Sequence, residues 1–255
     1  MAEICAALQR CVVAPQAEKP PARSAAELER LGYDPIVAQA AAAVAEAAKV
    51  DKLFEGETWE YYGISRKYRT TEAPWKVLDG VDLEAALTAS DELGGAPVRL
   101  LDARFIVELN KRGGSLCRRQ AIPEEAYVPL AKLKLMHAGG QFGTCLAVIG
   151  TSHPWQQPDN PDPKRFNLKT LAAALECFLN HRPDENSNPP PCTYAVFFDF
   201  CSLYQWEHTP QQDELFKRAL QTMLTWYCHT KLLTFKLTKL PEGYPTGWTF
   251  PEGTQ

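Results

Sequence analysis

The sequence predicts an α/β protein whose short, mostly parallel sheet follows an α-helical N-terminal region. Three observations carry that expectation. Residues 145–237 alternate strand, helix, strand, helix, strand, an order that calls for parallel pairing with right-handed crossovers. The stretch YAVFFDFCSLYQ (194–205) opens as an almost unbroken apolar run bounded by Pro-rich sequence before it and polar sequence after it, as a strand buried on both faces does. Residues 24–114 carry helix signals instead of strand signals.

The elements follow in chain order. Residues 1–23 contain PQAEKPPAR and little periodicity, which predicts a flexible arm. SAAELERL pairs Ser24 with Glu27 in a capping-box pattern, and the Ala-rich DPIVAQAAAAVAEAAKVDKLF has few breakers after Pro35, predicting helices over 24–31 and 35–54. WEYYGISRKYRTTEAPW (59–75) mixes aromatic and basic side chains. With acidic neighbours on both sides, it reads as a turn-rich segment laid over the core in preference to a nucleic-acid stacking surface. VDLEAALTASDEL and PVRLLDARFIVELNKRGG predict two more helices, the second stopped by Gly113 and Gly114.

CLAVIGTSHPW (145–155) reads as a buried strand running into a polar loop, and PDNPDPKRF as a turn cluster. Asn167 is placed to cap a helix with Leu168, Leu171, Ala172, Leu175, Phe178 and Leu179 at helical spacing. After the connector RPDENSNPPP and the 194–200 strand, Thr209, Pro210 and Gln212 supply a cap, a first-turn proline and the third capping-box position. Leu215, Phe216, Ala219, Leu220, Met223, Leu224 and Tyr227 form that helix's apolar stripe, and LLTFKL (232–237) is the third strand. The central position in the sheet is expected for 194–200, the most continuously apolar strand. The chain thus divides into an arm (1–23), a helical region packed on the body (24–125) and an α/β domain (126–255).

With 45% apolar residues in a chain of 255, a real core is available. Lys and Arg number 27 against 31 Asp and Glu, a formal net charge of −4 with no long single-sign block, which argues against nucleic acid or an anionic membrane as the main partner. No stretch approaches the roughly 20 apolar residues of a membrane-spanning helix, and MAEICAALQR lacks the features of a secretory signal, so a soluble, intracellular, by default cytoplasmic protein is expected. Eight scattered cysteines without a C-x-x-C spacing read as reduced packing residues, not zinc ligands.

The C-terminal half resembles the HET-like (heterokaryon-incompatibility-like) domains, which are themselves similar to TIR domains, and related protist proteins. The matching stretches are LAVIGTSHPW, with Ser152 and Trp155 in a Ser-x-x-Trp after the first strand; FFDFCSLYQ; the Phe216–Tyr227 helix; GYPTGWTFPE; and the lead-in GGSLCRRQAIPEEAY. Together they cover roughly residues 99–252. The resemblance implies a Rossmann-like three-layer sandwich. Two departures matter: Thr246 stands where such domains carry Arg before the final Trp, and the sequence stops three residues after Glu252, where TIR-type folds continue.

In NAD-cleaving TIR domains the catalytic carboxylate sits in a Trp-x-x-x-Glu spacing, which Trp248 and Glu252 match. A nearby anion suits the oxocarbenium-like state of nicotinamide–ribose cleavage. Yet Pro251 and Gly253 flank Glu252, which makes it a poor helix residue. Ser152, Asp199 and Ser202 fall at or just beyond strand tips, where open parallel sheets bind ligands, and are the candidates for holding a ribose or phosphate. The alternative role for Asp199 is a carboxylate that accepts backbone N–H bonds to fix the turn after its strand. Trp155, Trp226 and Trp248 read as packing residues, and His229 as a cation-favouring helix end. The missing Arg and the shortened C-terminus favour a non-catalytic interaction, signalling or accessory module without a cofactor, whose partners are other proteins or a larger assembly. The alternative is an NAD-cleaving or nucleotide-binding enzyme, which requires Ser152, Asp199, Ser202 and Glu252 to converge on one pocket.

Overall fold

The computed structural model describes residues 22–49, 83–133, 146–157, 159–180, 193–229 and 232–239. The expectations for residues 1–21, 59–75 and 182–191, and for Trp248 and Glu252, lie outside these residues.

Ser24 and Glu27 form the full capping box at the start of α1 (Ala25–Arg30): Ser24 Oγ accepts from Glu27 N and the Glu27 carboxylate accepts from Ser24 N at 2.7 Å. Asp34 Oδ1 accepts from the amides of Ile36 and Val37 at the head of α2 (Pro35–Lys49). The helix expected over 81–93 is shorter. α3 (Leu83–Leu87) ends where Thr88 Oγ1 bonds back to Glu84 O, and a turn through Gly94 (φ +68°) closes a bridge between Ser90 and Gly95.

The segment read as one helix from residue 97 holds a strand, β1 (Leu101–Asp102), before α4 (Ala103–Lys111). Asp102 ends the strand and caps the helix, its Oδ1 accepting from Arg104 N at 2.9 Å. At the far end Gly113 adopts φ +78°, and the amides of Gly113 and Gly114 bond to the carbonyls of Asn110 and Leu109. This is a Schellman termination, for which the left-handed residue is best a glycine.

Short α5 (Leu130–Leu133) precedes β2 (Val148–Ser152), α6 (Phe166–Asn180), β3 (Ala195–Phe197), a single helical turn α7 (Asp199–Ser202), α8 (Pro210–Thr222), α9 (Thr225–Cys228) and β4 (Leu233–Lys236). Asn167 does not cap α6. Asp162 does, from outside the helix, with Oδ1 accepting from Asn167 N at 2.9 Å and Oδ2 from Leu168 N at 2.7 Å. The Asn167 amide instead donates to the carbonyls of Pro154 and Pro161 and pins the loop after β2. The Thr209–Gln212 capping box of α8 is complete. The apolar stripe expected to run straight from Leu215 to Tyr227 is interrupted: Leu215 and Ala219 are buried, the helix breaks after Thr222, and Trp226 takes the next buried position. Leu220 and Leu224 are left exposed.

The four strands form one mixed sheet in the order β1-β3-β2-β4. β2 pairs in parallel with both β3 and β4, while β1 pairs antiparallel with β3. The three expected strands are therefore parallel, but β2, not 194–200, stands between the other two. On its other edge β3 pairs with β1, a strand the sequence did not announce.

Register places Gly150 beside Phe197 and Ile149 beside Val196. Trp226 of α9 stacks on Phe197 at 5.4 Å and its carbonyl lies against Gly150, so α9 covers that face. Phe178 of α6 meets Tyr194 and Phe235, which lie on the opposite face. Buried side chains from Leu28 in α1 to Leu232 before β4 belong to one hydrophobic cluster.

Candidate functional site at the strand tips

Two parallel strands, β2 and β3, deliver the loops that hold the sequence-derived candidates. Ser152 ends β2 half-buried, and its carbonyl accepts from Leu237 N at 2.8 Å. Asp199 is not the end of a strand. It is the first residue of α7, which begins two residues after β3, so its side chain reads the loop that follows β2. Asp199 Oδ2 accepts from Trp155 Nε1 at 3.1 Å, and Oδ1 accepts from Phe200 N at 2.6 Å. His153 Nε2 lies 3.5 Å from Oδ1.

His153 is packed into the protein beside Asp199. Its ring stacks on Phe198 with centroids 4.0 Å apart, Nδ1 lies 3.4 Å from Thr151 O, and its side chain is only 1% exposed. Burial pushes the imidazole pKa down, with Asp199 and, less strongly, Asp162 pulling it back. Trp155 stands edge-on to Phe200 at 5.8 Å. Tyr227, packed against Phe197, has its hydroxyl pKa raised by burial and by Asp199.

Ser202 does not join this cluster. Fully buried, its Oγ accepts from Phe198 N at 3.1 Å and closes the single turn of α7 back on the end of β3. The structure thus brings Ser152, His153, Trp155 and Asp199 to neighbouring strand tips, and turns Ser202 away into the core. Cavities of about 730, 610 and 600 Å³ lie elsewhere, and Ser152, Asp199 and Ser202 line none of them.

The loop after α7 is held by a second set of residues that the sequence left unremarked. Arg119, 3% exposed, donates from Nη1 to the carbonyls of Pro97 (2.6 Å) and Ser202 (3.2 Å) and from Nη2 to Ala96 O (2.6 Å). Its guanidinium lies 3.9 Å over the Tyr204 ring. Burial without a facing carboxylate lowers its pKa to about 10, which leaves it charged at neutral pH. Gln120 accepts from Gln205 N and donates to Gln205 O, and Tyr127 Oη donates to Cys201 O at 3.0 Å. RRQAIPEEAY thereby anchors the tip loop. The clue in the sequence was an Arg within an apolar lead-in, but its acceptors are backbone carbonyls and leave no pattern.

The thiols here are poor nucleophiles. Burial pushes the pKa of Cys117 up to about 12 and that of Cys201 well above its usual value, and Cys201 Sγ donates to Cys117 O at 3.2 Å. Among the described residues no group of three or more His, Cys, Asp or Glu side chains is arranged to hold a metal ion.

His153 makes a pH prediction. Its folded-state pKa lies below the unfolded value of about 6.5, so below that pH the unfolded chain binds the proton the folded chain refuses. The stability it contributes is full above about pH 6.5 and is lost as pH falls through the unfolded value toward the folded one. His153→Phe keeps the ring stack and removes the titration. The melting temperature should fall less steeply between pH 7.5 and pH 5.5 in the variant than in the parent. Parallel profiles would refute the assignment.

No family model matches the chain, and neither a curated protein nor a solved structure does.

Proposed function

We propose that this chain is a non-catalytic interaction, signalling or accessory module on a HET/TIR-like, Rossmann-like three-layer scaffold, with other proteins as its partners. One observation carries the reading: the polar groups at the strand tips are engaged with the protein itself. Asp199 is taken up by Trp155 and by its own turn, Ser202 by Phe198 N, and His153 is buried and stacked on Phe198. A nucleotide pocket needs convergent donors and acceptors that face a ligand.

Exposed apolar side chains add support. Leu220 and Leu224, at 44% and 74% exposure, lie four residues apart, on either side of the end of α8 at Thr222. Trp206, beside the start of α8, is 80% exposed. Large apolar side chains left in water in this way mark protein contact surfaces when they are contiguous. The described residues include no helix long and apolar enough to cross a membrane.

The second reading, an NAD-cleaving or nucleotide-binding enzyme, draws on one feature: the Asp199 side chain is 21% exposed beyond the carboxyl end of a parallel strand. Incubation of the purified chain with NAD, followed by chromatography for free nicotinamide, separates the two. The expected result is no release. Asp199→Asn should bind nucleotide no differently from the parent and be about 1–2 kcal/mol less stable, because the carboxylate holds the turn. Nicotinamide release, or an NAD affinity that vanishes in Asp199→Asn while the melting temperature holds, would establish the enzyme instead.

A further inference from the structure

We propose that the cavity between α2 and the segment 124–132 is a binding site for a neutral, mostly apolar small molecule. The space measures about 600 Å³, within the range that holds a drug-sized ligand. Its wall on α2 is made of short side chains, Val44, Ala45 and Ala48, and Pro129 and Ala131 line it from the segment 124–132. Lys49, Glu124, Pro129 and Ala131 at its rim are exposed, so the space is an open groove over the alanine wall. An apolar molecule seated there would bury its own surface and that of the alanine wall from water.

Arg23, Lys49, Asp102, Glu124 and Glu125 around the cavity are matched on the protein, which argues for a neutral occupant. Arg23 makes a bidentate pair with Glu125, Nε to Oε1 at 2.7 Å and Nη2 to Oε2 at 2.9 Å. At the floor, Asp102 is buried and pairs with Arg104 Nη2 at 2.8 Å while accepting from Thr193 Oγ1 at 2.6 Å. Lys49 pairs with Glu46 at 2.6 Å, and Glu124 pairs with Arg99. A charged ligand would have to compete with one of these pairs or enter without a counter-charge.

The test uses the full chain and a neutral fluorescent probe, N-phenyl-1-naphthylamine, beside its anionic relative 8-anilinonaphthalene-1-sulfonate. The neutral probe should bind saturably at one site, about tenfold or more tighter than the anion. Ala48→Trp should weaken the neutral probe about tenfold or more by filling the space, with the melting temperature unchanged. Ala45→Leu, on the same wall, repeats the comparison with a smaller intrusion if tryptophan destabilises the fold. The proposal is overturned if the neutral probe does not saturate, if the anion binds as well, or if folded filling variants bind the probe as the parent does.

Discussion

Gly150→Ala is expected to lower the unfolding free energy by about 3 kcal/mol, the upper part of the range for overpacking a core. A Cβ at Gly150 would sit 2.3 Å from the Trp226 carbonyl oxygen and 3.3 Å from its carbon. Both are backbone atoms, so no side-chain rotation relieves the overlap. Instead α9 must lift off the sheet, and with it go the stack of Trp226 on Phe197 and the bond from Thr234 Oγ1 to Tyr227 O at 2.9 Å. Gly95→Ala is the control, since its Cβ would meet Tyr204 Oη at 3.4 Å and Leu215 Cδ1 at 3.5 Å, ordinary contacts. Thermal or urea unfolding decides it, and equal, small losses for both variants would show that α9 does not depend on the close approach.

Arg119→Met should cost a similar amount, about 3 kcal/mol, equivalent to a fall in melting temperature of about 10 °C for a chain of this size. Methionine keeps much of the arginine stem's packing, so the loss reports the guanidinium. Removing it strips Ala96 O and Pro97 O of the donors at 2.6 Å, while Ser202 O retains the amide of Arg99 at 3.1 Å. Each orphaned acceptor in the interior costs about 1–3 kcal/mol, and the desolvation cost of the lost charge returns part of that. Arg119→Lys should recover little, because one ammonium cannot bridge two carbonyls and cover the Tyr204 ring. A Met variant within about 0.5 kcal/mol of the parent would show that the clamp contributes nothing net.

Elements whose chemistry is local are legible in the sequence. The Ser24–Glu27 and Thr209–Gln212 boxes, the glycine stop after α4 and the strands at 148–152 and 233–236 are each written into a few adjacent residues. Errors came where a partner is distant. Asn167 and Asp162 are both good capping residues near the same helix, and only the path of the 154–161 loop selects Asp162. Likewise, LLDARFIVEL carries helical periodicity from its first residue, and the pairing of Leu101 with Val196 turns its start into a strand.

The candidate site shows the same division. Sequence alone determined that polar residues gather after two buried strands, because an apolar run that stops abruptly must leave its next residues at a surface or a crevice. It also determined the starts of α1 and α8, whose hydrogen bonds close within three or four residues. What those polar residues do depends on contacts between distant parts of the chain. Ser202 turns inward to Phe198, Asp199 turns to Trp155 44 residues away in sequence, and Arg119 reaches Ser202 83 residues on. The physical reason is that a side-chain hydrogen bond takes whichever partner the packed backbone leaves within about 3 Å, and sequence spacing says nothing of that distance once the chain has turned back on itself.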